Sequence, residues 1–361
     1  MAGISRQYFT CANSSQGFIN YFPSNLEGMQ KIYILKGGPG TGKSTLMKKI
    51  GGFFQNLGQD IEEIRCSSDS DSLDGVILCG SHAAIVDGTA PHVLEPQAPG
   101  AVEEYVNLGT AWNSKALAKQ KDEILALKKQ ISQYYQSIYE YLGEAKSIHD
   151  QQEALFLPDL DINQRNQIAK TLSEEILSDC APEKTPRTVH RFLGALTPKG
   201  SVNTIENLTQ SCKKRYFIKG GPGSGKSTLM KKIAADTQSA GLSLELYHCS
   251  LDPESLDMVI LPTKGICIFD STPPHELFPS RDSDFLLDLE EIDGKFKANS
   301  EKQKELHFLE EEYLRRIEKA RGILEKIHCI HDDLERIYID TIDFKIINQI
   351  TENLIQEIQN L

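Results

Sequence analysis

Two strings in the sequence hold residue types suited to gripping phosphate: Gly37-Gly38-Pro39-Gly40-Thr41-Gly42-Lys43-Ser44 and Gly220-Gly221-Pro222-Gly223-Ser224-Gly225-Lys226-Ser227. Glycines let the backbone curl until successive N–H groups point inward at an anion. The lysine, Lys43 or Lys226, reaches the outer phosphate oxygens, and the hydroxyl of Ser44 or Ser227 is placed to ligate Mg2+. Thr45 and Thr228 complete the expected phosphate-binding set. A carboxylate belongs with them. Asp87 ends the apolar run His82–Asp87 and Asp270 ends Gly265–Asp270, each 44 residues beyond its lysine. A buried strand delivers such an aspartate at its C-terminal end, where open α/β sheets collect ligands, so Asp87 and Asp270 are the expected metal-holding carboxylates.

The elements that position these residues repeat with them. Lys36–Ile50 recurs as Lys219–Ile233, 183 residues on, and only Thr41/Ser224 differ in fifteen positions. The same offset pairs Phe9 with Phe192, Gly17 with Gly200, Asp87 with Asp270 and His92 with His275. A period this long implies two tandem domains, expected at residues 1–183 and 184–361 with the boundary in Cys180–Arg187, where two prolines follow a helical stretch. In each, a strand pair (Gln7–Ala12 with Gly17–Phe22; Arg191–Leu196 with Gly200–Ile205) precedes an apolar strand (Lys31–Lys36; Arg215–Lys219). The glycine string follows and opens a helix (Lys43–Leu57; Lys226–Gly241). Strands ending at Cys66 or Cys249 and at Asp87 or Asp270 come next. That alternation predicts α/β modules with parallel sheet cores.

Charged helical sequence then takes over, giving arms over about 112–179 and 295–361. Leu117, Ile124, Ile131, Ile138 and Ala145 recur every seven residues with Leu127, Tyr134 and Tyr141 between them, an a/d seam. Leu306, Tyr313, Ala320 and Ile327 repeat the design, with Arg316 interrupting it. A helix from Trp112 to His149 would be roughly 55 Å long, more than a compact module needs. Shorter amphipathic helices (Asn163–Leu177; Asp343–Leu361) close each copy.

Composition narrows the partners. A net charge of −12 argues against affinity built on neutralising a nucleic-acid backbone. No run of about 18 apolar residues is present to span a bilayer, and the N-terminus lacks a secretory pattern, so a cytoplasmic protein is expected. The eight cysteines form no CxxC pair, which fits reduced thiols and not a zinc site.

On these motifs both halves resemble P-loop NTPase modules, with the glycine strings as Walker A and the aspartate-ended strands as Walker B. The strings CSSDSDSLDGVIL with VDGTAPH, and CSLDPESLDMVIL with FDSTPPH, are similar to uncharacterised bacterial tandem P-loop ATPases. The resemblance implies Mg2+ and ATP as ligands, with Lys43, Asp87, Lys226 and Asp270 as catalytic residues. Gly88 and Ser271 stand where a water-activating glutamate often follows the aspartate. No guanine-reading NKxD string and no LSGGQ-like signature occurs, so adenine is favoured by default.

The expected activity is slow Mg-dependent ATP hydrolysis at two sites, with the arms coupling nucleotide state to a protein partner. A nucleotide or small-molecule kinase and a nucleotide-gated scaffold are the alternatives. Asp69, Asp252, Asp74 and Asp257 read either as rim carboxylates or as caps. His92 and His275 read as γ-phosphate contacts or as loop-fixing histidines, and Thr89 and Thr272 as polar sensors or turn hydroxyls. Arg281, Arg315 and Arg316 are candidate arginine donors, since the first long helix supplies none.

Overall fold

Apolar runs form the centre of each half. In the computed structural model, which describes residues 2–292 and 300–361, the first half contains β1 (Ser5–Tyr8), β2 (Cys11–Ser14), β3 (Gly17–Asn20), α1 (Phe22–Leu26) and β4 (Lys31–Lys36). It continues through α2 (Lys43–Asn56), β5 (Ile61–Arg65), β6 (Leu73–Leu78), β7 (Ala83–Asp87), β8 (Glu103–Asn107), α3 (Ser114–Lys119), α4 (Lys121–Phe156) and α5 (Ile162–Ile176). The second half repeats the order as β9 (Thr188–Phe192), β10 (Gly194–Thr197), β11 (Gly200–Asn203), α6 (Ile205–Thr209), β12 (Lys214–Lys219), α7 (Lys226–Ser239), β13 (Leu244–His248), β14 (Leu256–Leu261), β15 (Ile266–Asp270) and β16 (Asp284–Asp288). α8 (Leu289–Ile292), α9 (Ser300–Ile339) and α10 (Phe344–Gln359) complete it. The expected start of the second arm, near residue 295, lies outside the described residues.

The two six-stranded sheets have the orders β1-β5-β6-β7-β4-β8 and β9-β13-β14-β15-β12-β16. They are mixed, which corrects the expectation of parallel sheet cores. β6 runs antiparallel to β5 and β7, and β14 antiparallel to β13 and β15. The reason is loop length: the links into and out of β6 are too short for a crossover helix, so the chain must return beside itself. The expected first strand pair also divides. β1 joins the sheet beside β5 in parallel, and β2 with β3 forms a separate hairpin.

The halves meet through equivalent residues. Phe9 and Phe192 exchange backbone hydrogen bonds (Phe9 N to Phe192 O 3.3 Å, Phe192 N to Phe9 O 2.8 Å), and Ala12 and Ala195 pack with them. Contact between equivalent positions is the signature of a two-fold relation. One face of both sheets shares a single core, with Phe22, Ile34 and Val86 from the first half and Phe217, Tyr247 and Phe269 from the second.

The arms pair with each other while still touching their own halves, Tyr139 at Asn13 and Arg321 at Pro198. α4 and α9 lie antiparallel: Glu144 meets Arg316, Tyr141 meets Lys319, and Leu155 meets Lys302. Ile138, Leu142, Ala320, Leu324 and Ile327 fill their seam. Arg316, which breaks the apolar repeat, is accommodated at the edge by Glu144 and Glu312. At the first arm's root the helix breaks at Gln120, so the long helix starts later than Trp112 and runs on to Phe156. Because the arms are antiparallel, their ends are exchanged. α5 delivers Ala169, Leu172 and Ile176 onto α7 and the second sheet, and α10 delivers Ile347, Leu354 and Ile358 onto α2 and the first. Among the described residues no helix is long and apolar enough to cross a membrane.

Candidate functional site

Each glycine string is a loop between a central strand and the helix it opens. Gly40 and Gly42 take φ of 66° and 80°, and Gly223 and Gly225 take 74° and 88°, a region that disfavours any residue with a Cβ. The curl brings carbonyls to the lysine: Lys43 Nζ donates to Gly37 O (3.1 Å) and Gly38 O (2.9 Å). Lys226 Nζ donates to Gly220 O and to Gly221 O (3.1 Å). Register places the aspartates alongside, Asp87 Oδ2 at 3.6 Å from Lys43 Nζ and Asp270 Oδ2 at 3.5 Å from Lys226 Nζ. The other Asp87 oxygen accepts from Thr89 N (2.8 Å) and Thr89 Oγ1 (2.6 Å), and Thr272 does the same for Asp270. Ser44 Oγ and Ser227 Oγ each accept a backbone N–H, from Leu73 and Leu256, at 3.0 Å.

This arrangement can bind an anion at the amides and the ammonium of each loop. The nearby hydroxyl and carboxylate, Ser44 with Asp87 and Ser227 with Asp270, are oxygen donors of the type that suits a hard divalent cation such as Mg2+. Burial pushes the Asp270 carboxyl above its ordinary range, against the opposing pull of Lys226 and Thr272. A cation beside it would restore the ionised form.

The strand that sequence reasoning left unassigned brings a further pair to each site. Asp74 at the start of β6 lies 3.5 Å from His92 Nε2, and Asp257 at the start of β14 lies 3.3 Å from His275 Nε2. Burial raises the Asp74 pKa, with the Asp87 charge adding to it and His92 opposing. In the second half burial disfavours the charged imidazole of His275, but the Asp257 hydrogen bond and the Asp270 charge outweigh it and raise its pKa. Asp69 and Asp252 instead hold turns, accepting from Ser72 and Ser255.

Further residues at the loops come mainly from the opposite arm, and sequence reasoning did not find them. Glu335 Oε1 accepts from Gly40 N at 3.2 Å. A Cβ on Gly40 would sit 2.8 Å from the Glu335 carbonyl oxygen, and one on Gly38 would sit 2.8 Å from the Tyr338 ring. His331, one turn before Glu335, has a pKa lowered by burial and by the Lys43 charge, with Glu335 opposing. At the second loop a Cβ on Gly223 would lie 2.7 Å from the Glu153 carbonyl oxygen. Arg165 of α5 donates to Ser224 O and to Leu289 O, both at 2.9 Å. From its own half, Glu290 Oε1 accepts from Gly221 N at 2.8 Å.

The arginines singled out in the sequence stand elsewhere. Arg281 is held by the carbonyls of Cys212 and Gln210, Arg315 by Glu312, and Arg316 by Glu144 and Glu312. A sequence signal for the arm contacts does exist. His149-Asp150-Gln151-Gln152-Glu153 and His331-Asp332-Asp333-Leu334-Glu335 share His, Asp and Glu at the same spacing, 182 residues apart, one residue off the offset of the loops. Compared with protein-family models, curated proteins and solved structures, the chain gives no match.

Proposed function

We propose that the chain binds a nucleoside triphosphate with Mg2+ at each glycine loop and hydrolyses it slowly, ATP being the favoured nucleotide, with the paired arms carrying nucleotide state to a protein partner. The observation that carries the reading is the same lysine, hydroxyl and aspartate set in both halves, with the ammonium within 3.6 Å and 3.5 Å of its carboxylate. Lys43 and Lys226 would hold the outer phosphates. Ser44 with Asp87, and Ser227 with Asp270, would hold the metal, which supplies charge neutralisation at the phosphates. Titration with Mg·ATP tests it: two sites per chain are expected, one lost in Lys43→Ala and the other in Lys226→Ala. A chain that binds no nucleotide, or one whose binding survives both changes together, refutes the reading.

A further inference from the structure

Neither loop has a glutamate directly after its aspartate to align a water. Gly88 and Ser271 follow the two aspartates, and Thr89 and Thr272 are spent on the aspartate oxygens. The opposite arm supplies what the neighbouring sequence does not. Resting on the nucleotide reading above, we propose that each site is completed in trans: Glu335, with His331 beside it, serves the first loop, and Glu153, with His149 beside it, serves the second. Each glutamate aligns the water that attacks the terminal phosphate.

Three independent features support this. The first is position. Glu335 Oε1 already touches the loop amide of Gly40, and the Glu153 backbone packs on Gly223, the residue 183 positions on from Gly40. The second is repetition, because the His and Glu recur in both arms as i,i+4 pairs, with nitrogen to carboxylate separations of 3.6 Å for His331–Glu335 and 3.9 Å for His149–Glu153. On a helix that spacing puts both side chains on one face. The third is access. The Glu335 and Glu153 side chains are 37% and 40% exposed, so water reaches them even though their backbones are packed against the loops.

The water oxygen bonds to the terminal phosphorus while the bond from that phosphorus to the bridging oxygen breaks. The water proton passes to the glutamate carboxylate and then to solvent, and nucleoside diphosphate and inorganic phosphate leave. A second consequence is competition. The Gly40 amide is one of those a phosphate would use, so bound nucleotide and the Glu335 carboxylate contend for it, and the phosphate turns the carboxylate aside towards the attacking water. Glu335 therefore opposes binding and promotes turnover, a combination that a purely structural contact would not produce.

The test uses the full chain with one loop silenced at a time. In the Lys226→Ala background, where only the first loop is intact, Glu335→Gln is expected to lower single-turnover ATP hydrolysis by about 100-fold, the low end for loss of a general base. The same change is expected to tighten binding of Mg2+ with the β,γ-imido analogue of ATP about fivefold, the factor for one like-charge contact in a water-like medium. Glu335→Asp, which keeps the charge but withdraws it by a methylene, should retain the weaker binding and still lose turnover. In the Lys43→Ala background Glu153→Gln should lower hydrolysis at the second loop. Turnover insensitive to both glutamates, or binding and turnover lost together, overturns the trans assignment alone. Failure of the unsubstituted chain to bind the analogue refutes the nucleotide reading itself and the trans assignment with it.

Discussion

Replacing Glu245 with glutamine tests how the two halves are held together. Glu245 is a buried β13 carboxylate at the junction of the sheets. It accepts from Arg6 Nη1 (2.8 Å) and Nη2 (2.6 Å) of the other half, and from Tyr247 Oη (2.9 Å), with Arg191 Nη1 at 3.3 Å. Arg191 in turn reaches back to Glu62 at 2.8 Å and lies over the Tyr8 ring. Burial alone would raise the Glu245 pKa, but Arg191 and Arg6 outweigh it and hold it at about 2. A carboxyl moved from an ordinary value of 4.5 to about 2 carries about 3 kcal/mol of folding stability at neutral pH.

Glu245→Gln keeps the shape and removes the charge, leaving two guanidiniums on Glu62. A loss of about 3 kcal/mol is therefore expected, at the lower end of the range for removing one partner of a buried ion pair. Urea denaturation at pH 7 measures it, and pH supplies the sign. Above about 4.5 the carboxylate is ionised folded and unfolded, and its contribution is complete. Between about 4.5 and 2 the unfolded chain takes up the proton first, so the parent loses stability as pH falls and the gap to the variant closes. A gap below 1 kcal/mol at pH 7, or one that stays constant down to pH 3, would refute this account of the junction.

Further tests concern the loops. Trp112, the chain's one tryptophan, lies 5.7 Å from the Tyr338 ring that covers Gly38, so nucleotide at the first loop should change its fluorescence. That change should vanish in Lys43→Ala and persist in Lys226→Ala; the opposite pattern would detach Trp112 from the first site. Asp87→Asn and Asp270→Asn should lower Mg2+-dependent turnover more than Mg2+-free nucleotide binding, and an equal loss of both would make the aspartates loop supports. Gly40→Ala combines a φ of 66° with a Cβ 2.8 Å from the Glu335 carbonyl oxygen, and should cost about 1–2 kcal/mol from the backbone alone. Unchanged stability in denaturant would show that the arm yields freely.

Local signals were legible where a short motif fixes its own surroundings. The glycine loops, the helices they open and the aspartate-ended strands β7 and β15 all stand where spacing puts them. β6 and β14 were missed because Leu73–Leu78 and Leu256–Leu261 are buried along their whole length and show no alternation, and both follow a stretch rich in Ser and Asp that reads as loop. The pairing of Asp74 with His92 was illegible for the same reason, since it depends on β6 starting at Leu73. The exchange of arm ends is a different kind of miss. Heptad spacing identifies a seam but not the partner helix, and the apolar face of α5 or α10 would fit either sheet. The shift from 183 to 182 between loop and arm offsets hid the repeated His and Glu from a search at one fixed offset.

The exchange also limits how the two sites can communicate. Ile347, Leu354 and Ile358 are buried against the first half, and at about 1.5–3 kcal/mol for each large apolar side chain their removal would cost several kcal/mol. A ligand would have to repay that differential to lift α10, so helix detachment is a poor route. Replacing the one hydrogen bond from Gly40 to the Glu335 carboxylate is cheaper, about 1.5–3 kcal/mol. On the trans reading, a signal from the proposed first site would start at Glu335 and enter α9, which packs along α4, whose far end touches the second loop at Glu153. The return path is not its mirror image. Where Ile347 packs near Gly42, Arg165 packs near Gly225, and the hydrogen bonds to the opposite arm differ in kind: the first loop donates from Gly40 N to a glutamate, and the second accepts at Ser224 O from an arginine. Equilibrium coupling between two sites is reciprocal in magnitude whatever the route. An effect of that difference at the two proposed sites would therefore show in their separate affinities and not in the strength of the coupling between them.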